Sequence, residues 1–497
     1  MAKRTAVIDI GSNSARMAIY EKESRFAFSL LNEIKSQVRI SEGAYENKGN
    51  LQPFAISRAL TALGEFHKIA SNMKCRKLLC IATSAVRDAP NANVLINEVK
   101  KRFGFDIKII DGSKEAYYGA VAVRNMLPRY NEATTIDIGG GSTELAKIEN
   151  GTIVKTISLN IGTVRLKELF FDKKTSFDKI SDFVKKEIKT VDKEFNCENL
   201  IGIGGTTRAL GKLFITKSRH PLSTVHGFEY DSKWALKYIH EIASSGVLDL
   251  KRLGIKKDRY DTIREGSVIF EAFIRKLNAK KIITSGVGIR EGVYLSDILR
   301  SSGAKFPHNF DLSLELLKDK FGTDKKKSQF FACHIEKLFW ELKPLHKLND
   351  CFLRPLIVAA KLDSIGRNLS FYQDHLHSAY FVLNNLNYGF THQEKTLVST
   401  IIKFYNKKVT QNNIFLYEKL LPPLSELNWL IFIFSLVKIF QDRGAIKPLS
   451  FVFSNGSLHI KSTESLYLTK EPVKKIFKPE VFSIVIDDNQ QFSIPYR

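Results

Sequence analysis

Asp9 and Asp137 each close a short apolar run and are followed within two residues by a turn of glycine and small polar side chains. The first phrase reads Ala6-Val7-Ile8-Asp9-Ile10-Gly11-Ser12-Asn13-Ser14. The second reads Thr134-Thr135-Ile136-Asp137-Ile138-Gly139-Gly140-Gly141-Ser142-Thr143 and runs on into Glu144. Each spells a buried strand, a tight turn and a return strand. Glycine permits positive φ and lets backbone N–H groups approach a ligand closely. A row of such N–H groups forms an anion nest. Ser12, Asn13 and Ser14 add short donors to the first nest, as Gly139, Gly140, Gly141, Ser142 and Thr143 build the second. A carboxylate repels phosphate, so Asp9 and Asp137 imply a divalent cation or a positioned water beside the anion. One such turn is ordinary. Two of them, about 130 residues apart, imply facing phosphate clamps.

Hydrolysis of a phosphoanhydride needs anion donors, a metal to neutralise charge and a carboxylate to orient water. Glu144 starts the second return strand, where it can face the same crevice as Asp137. Arg87, in Ala82-Thr83-Ser84-Ala85-Val86-Arg87-Asp88, follows a buried strand, at the carboxyl end where open α/β sheets place ligands. Glu115, in Asp111-Gly112-Ser113-Lys114-Glu115, falls in the first turn of a helix. There the helix dipole favours any carboxylate, so alone it reads as routine. A third turn, Gly202-Ile203-Gly204-Gly205-Thr206-Thr207, again joins strand to helix and can hold a phosphate on the helix N-terminus. Its spacing breaks the dinucleotide fingerprint.

The elements that must hold these residues alternate. Strands are expected at 5–10, 15–20, 77–82 and 106–110, with helices at 53–72, 91–103 and 114–125. The alternation restarts at the second phrase, with strands at 134–138, 143–148, 152–158, 199–203 and 280–284. The pattern implies two α/β domains of one kind, at 1–125 and 126–305. Ser301 to Pro307 reads as a linker. Amphipathic helices dominate a domain expected at 306–440. A small α/β domain at 441–497 begins with the hairpin signal Phe451 to Ile460, turning at Asn455-Gly456.

The 497 residues, 44% of them hydrophobic, suffice for several full cores. Met1-Ala2-Lys3-Arg4 does not open a secretory signal, and the apolar run Leu430 to Val437 is too short to span a membrane. Cys75, Cys80, Cys197, Cys333 and Cys351 form no C-x-x-C pair, which points to free thiols in the cytoplasm. The net charge of +24 favours a polyanionic partner. From Ser301 onward, 26 Lys and Arg stand against 18 Asp and Glu, so the excess is spread and not a tail. No helix-turn-helix, RNP-type or zinc-finger signature makes this a nucleic-acid protein.

These motifs, with Ser285-Gly286-Val287-Gly288-Ile289-Arg290-Glu291-Gly292, occur in the order seen in the exopolyphosphatase/guanosine pentaphosphate phosphohydrolase family, which the first 300 or so residues resemble. The resemblance implies two actin-like (ribonuclease H-like) domains facing across a cleft. It implies that Glu115 activates water, that Asp137, Glu144 and Asp9 hold Mg2+, and that the glycine turns, Arg87, Gly204, Gly205, Thr206 and Arg259 grip phosphates. The expected reaction releases terminal orthophosphate from inorganic polyphosphate, from guanosine pentaphosphate, or from both. A homodimer without membrane or nucleic-acid partner is expected. An actin-fold kinase and a non-catalytic alarmone-binding regulator are the alternatives. The first lacks a sugar-kinase signature; the second sits poorly with intact Glu115, Asp137 and Glu144.

The later half resembles a domain related to the HD phosphohydrolases. Leu362-Asp363 stands where such proteins carry His-Asp, and Lys403-Phe404-Tyr405 lacks the later histidine. Leucine cannot ligate a metal. A surface that holds long polyanions is expected here, not a second catalytic centre.

Overall fold

A computed structural model describes residues 3–44, 46–445 and 447–487. The chain divides into two compact units, residues 1–312 and 313–497. It is a mixed α/β protein with a helical C-terminal region.

The first unit contains two sheets of like topology. One has strands β1 (Lys3–Ile10), β2 (Ala15–Lys22), β3 (Phe28–Ser36), β4 (Lys77–Ala82) and β5 (Ile107–Ile109), in the order β3-β2-β1-β4-β5. The other has β6 (Ala133–Ile138), β7 (Thr143–Glu149), β8 (Thr152–Leu159), β9 (Asn199–Ile203), β10 (Phe228–Asp231) and β11 (Lys281–Thr284), in the order β10-β11-β9-β6-β7-β8. In each, an antiparallel meander (β1-β2-β3, β6-β7-β8) continues into parallel neighbours (β4 beside β1, β9 beside β6). The clamp turns therefore occupy equivalent places at the carboxyl ends of β1 and β6.

Apolar side chains explain the layers. Ala6, Ile8 and Ile10 of β1 are sealed against Ala55, Ala59 and Leu63 of α1 (Pro53–Asn72), whose Pro53 sits at the helix start where a missing N–H costs nothing. Helix α2 (Gly112–Met126) is capped by the Asp111 carboxylate, which accepts from the Lys114 N–H. Helix α3 (Gly204–Lys217) follows β9, and α4 (Ile289–Ile298) follows β11. A Cβ on Gly292 would lie 1.8 Å from the Tyr118 carbonyl oxygen. Only glycine lets α4 and α2 pack this closely.

Strands β3 and β10 were not expected from the sequence. The helix Phe177–Glu187 is followed by two short 3₁₀ turns, Ile188–Thr190 and Lys193–Phe195. Arg87 closes a single helical turn, Ser84–Arg87, just after β4.

In the second unit, α5 (Lys325–Glu341), α6 (Leu353–Leu362), α7 (Asp374–Asn385), α8 (His392–Lys403) and α9 (Leu424–Asp442) share one core. Helix α9 is long and apolar enough to cross a membrane by length and composition. Here every residue from Leu427 to Phe440 is buried inside the unit, each large apolar side chain contributing roughly 1.5–3 kcal/mol. It is a core helix. Strands β12 (Ser450–Ser454), β13 (Ser457–Lys461) and β14 (Ser483–Asp487) form a three-stranded sheet, with the β12–β13 hairpin turning at Asn455-Gly456.

Candidate active site

The two clamp turns close in the same way. Gly11 N–H donates to the Ser14 carbonyl at 3.2 Å, and Gly139 N–H to the Ser142 carbonyl at 2.9 Å. None of Gly11, Gly139, Gly140 or Gly141 takes a positive φ, contrary to the expectation from sequence. Their need for glycine is close approach. A Cβ on Gly140 would lie 2.7 Å from the Ser12 Cβ, so the two turns meet across the cleft.

One cavity gathers most of the expected residues: Asp9, Ser12, Asn13, Ser14, Glu115, Asp137, Gly139, Gly140, Ser142, Glu144, Gly204, Gly205, Thr206 and Arg259. Arg87 stands behind its wall and reaches in through Glu115, donating from Nη1 to the Glu115 Oε2 at 3.1 Å. Two expected donors are elsewhere. The Thr143 hydroxyl is buried and donates to the Ile161 carbonyl at 2.7 Å. Gly141 is buried away from the cavity, with its carbonyl accepting from Arg165 Nε at 3.0 Å.

The hairpins place charges in register. Asp9 lies opposite Arg16 on β2, whereas Asp137 lies opposite Glu144 on β7. The second pair sets two carboxylates side by side, which is unfavourable unless a cation joins them. Burial pushes the Glu144 carboxyl up to about 8, against the pull of hydrogen bonds from Ser142 and Ser158 and with further push from Asp137. Ser158 Oγ donates to Glu144 Oε1 at 2.8 Å. Asp137 is also raised by burial, while Arg208 and Arg16 draw it down. Asp9 is pushed to about 6 by burial, opposed by Arg290 and Arg16. Glu115 sits well above the usual carboxylate range because of burial and the nearby Glu144, with Arg87 opposing.

This donor set suits Mg2+. The ion keeps several waters and takes only one or two carboxylates from protein. Among the described residues, no three His, Cys, Asp or Glu side chains close into a complete cage. The Asp137–Glu144 pair, facing glycine-rich anion nests, is the part that a hydrated Mg2+ would need. Gly204 shapes it. With φ of +86°, its missing Cβ would stand 2.4 Å from Asp137 Oδ1.

Sequence reasoning missed the basic wall of the cavity. Arg16, Lys35, Arg208 and Arg290 line it, with Glu291 among them. Arg290 donates to Glu33 at 2.6 Å, Tyr20 donates to Glu291 at 2.6 Å, and Arg208 Nε donates to the Ser285 carbonyl at 2.9 Å. The signal was available. Arg208 and Arg290 each lie near the start of a helix just after a glycine turn, and Arg16 lies at the start of β2, two residues beyond Ser14.

The Ppx/GppA phosphatase family profile matches residues 17–301, and the domain III profile of the same family matches residues 311–421. A guanosine-5'-triphosphate,3'-diphosphate pyrophosphatase of Pseudoalteromonas translucida is 28% identical over 413 residues, covering 80% of each chain. The enzyme of that name from Photobacterium profundum is 24% identical, over 82% of this chain and 81% of its own. The crystal structure of the Aquifex aeolicus member of the Ppx/GppA family aligns with a TM-score of 0.53 at 28% identity, over 61% of this chain and 99% of that one. An exopolyphosphatase structure from Cytophaga hutchinsonii, 23% identical, shares the fold with a TM-score of 0.55, over 61% of this chain and all of its own. With both family profiles falling in order on this chain, and the clamps meeting around one carboxylate-lined cavity, the protein belongs to the Ppx/GppA phosphatase family.

Proposed function

We propose that the protein is a Mg2+-dependent phosphoanhydride hydrolase that releases the terminal phosphate of guanosine pentaphosphate, of inorganic polyphosphate, or of both. The observation that carries this reading is the convergence of Glu115, the Asp137–Glu144 pair and the two clamp turns on one cavity. The pyrophosphatase relatives and the family membership support it.

The terminal phosphate lies between the turn at Ser12 to Ser14 and the turn at Gly140 and Ser142, whose N–H groups and hydroxyls take its oxygens. Gly204, Gly205 and Thr206, at the start of α3, meet the next phosphate on the helix N-terminus, and Arg259 adds a cation. Glu115, held by Arg87, orients the attacking water and accepts its proton. A carboxyl raised by burial is a stronger base than one in water. Asp137 and Glu144 would hold Mg2+, with Asp9, already faced by Arg16, in support. When bound, the ion neutralises charge on the phosphate oxygens and leaving group.

The paired sheets are read as two actin-like domains, and the helical unit as an HD-like domain without catalytic metal. Leu362 is buried apolar core, and Asp363 is bonded to Lys438. That unit, basic overall, holds long polyanions. Five free thiols accord with a cytoplasmic setting. Phosphate release measured side by side on guanosine pentaphosphate and long polyphosphate, with Mg2+ and with chelator, tests the proposal. Mg2+-dependent release from at least one is expected. No release from either overturns it.

A further inference from the structure

The second unit contains a cavity of about 640 Å3 that the proposed hydrolysis does not use. Its volume lies in the ordinary range of small-ligand sites. Its wall combines cations from the first turn of α5 and the end of α9 with an aromatic corner just before α7.

The carboxylates around it are already answered from within the protein. Arg367 donates to Asp374 at 2.7 Å and to Asp442 at 3.3 Å. Lys438, only 1% exposed, donates to the buried Asp363 at 2.5 Å and lies 3.5 Å from Asp442. What remains is surplus positive charge. Lys326, Lys327 and Arg443 face the cavity, and their side chains have no ion-pair partner among the described residues. An anion is the matching ligand.

Charge alone would accept any anion. The aromatic corner is more selective. Phe371 and Tyr372 are 73% and 81% exposed, with rings edge-to-face at 5.6 Å. Two adjacent large rings left in water, beside a cationic wall, make a platform for a planar base. Gln441 adds an enclosed side-chain oxygen without a partner among the described residues, an acceptor for a ring N–H.

We propose that this cavity binds a nucleoside polyphosphate, its base stacked on Phe371 or Tyr372 and its phosphates facing Lys326, Lys327 and Arg443. This site is separate from the hydrolytic cavity and does not depend on the proposed reaction.

The test is calorimetric titration of the full chain with ATP, GTP and inorganic triphosphate. Two double variants are compared with the parent, Phe371→Ala/Tyr372→Ala and Lys327→Ala/Arg443→Ala. All four side chains are exposed, so the fold is expected to persist, and a thermal melt checks it. Binding of nucleotide or triphosphate in the hydrolytic cavity is a background common to all three proteins. Loss of one stacked base is expected to weaken nucleotide binding by at least ~5-fold in the aromatic variant, with triphosphate unaffected. The cation variant should weaken nucleotide and triphosphate alike. Unchanged nucleotide affinity in the aromatic variant overturns the proposal, because the cavity would then read charge and not a base. Unchanged affinity in both variants overturns it as well.

Discussion

Asp137 and Glu144 stand directly opposite each other on adjacent antiparallel strands, two carboxylates in the register position where the first hairpin pairs Asp9 with Arg16. One architecture therefore carries two electrostatic solutions. In the first clamp a guanidinium stands opposite the carboxylate. In the second the partner is another carboxylate, and burial beside Asp137 holds Glu144 toward its protonated form, a penalty that a bound cation would relieve.

That asymmetry ranks the carboxylates. Asp137→Asn and Glu144→Gln should each shift a Mg2+ titration of activity to higher concentration by at least ~10-fold, since an amide brings no charge to the ion. Asp9→Asn should shift it less. A lower maximal rate with an unmoved titration in the first two variants would assign them another role.

Gly204→Ala tests how Asp137 is aimed. The residue has φ +86° and its new Cβ would fall 2.4 Å from Asp137 Oδ1, so the turn must strain and the carboxylate must move. Activity should fall by at least ~10-fold, given how steeply rate depends on placement. Activity within twofold of the parent would mean that Asp137 need not occupy this position.

Glu265 predicts a pH effect on stability. It is 1% exposed, its Oε2 has no partner among the described residues, and burial pushes its carboxyl to about 7 from the ordinary 4.5. The folded state holds the proton more tightly than the unfolded chain, so stability falls as pH rises from about 4.5 and levels off above about 7. The full effect is at most about 3 kcal/mol. Glu265→Gln should remove this slope and be the more stable protein at pH 8. Parallel stability profiles from pH 5 to 8 would contradict the argument.

Removing one partner of the buried Lys438–Asp363 pair leaves an uncompensated charge. Lys438→Met should cost about 3–5 kcal/mol, read as an earlier denaturant midpoint of the second unit. Loss of under 1 kcal/mol would show that Asp363 is protonated in the fold.

Much of this was legible in the residues. The strand-turn-strand phrases at Asp9 and Asp137 and the capped helix bearing Glu115 announce themselves, because local apolar runs, glycine and Asp111 at an N-cap act over a few positions. Strand β10 did not, for four residues of Phe228–Asp231 carry too little pattern to stand out. The basic wall was hidden for another reason. Arg16, Arg208 and Arg290 come from three distant segments, and only the sheet topology brings them to one cavity. Thr143 shows the converse. It matches a phosphate donor by type and position, yet its hydroxyl is taken by the Ile161 carbonyl, a partner 18 residues away that spacing does not reveal.

The most direct measurement of the central claim is turnover of Glu115→Gln on guanosine pentaphosphate and on polyphosphate, with substrate binding measured in parallel. Glutamine keeps the shape and the contact with Arg87 but cannot accept the proton of the attacking water. Binding should survive while turnover falls at least ~100-fold on whichever substrate the parent hydrolyses, the scale of a lost general base. Turnover near that of the parent, with binding intact, would contradict the assignment of Glu115 and with it the mechanism built around this cavity.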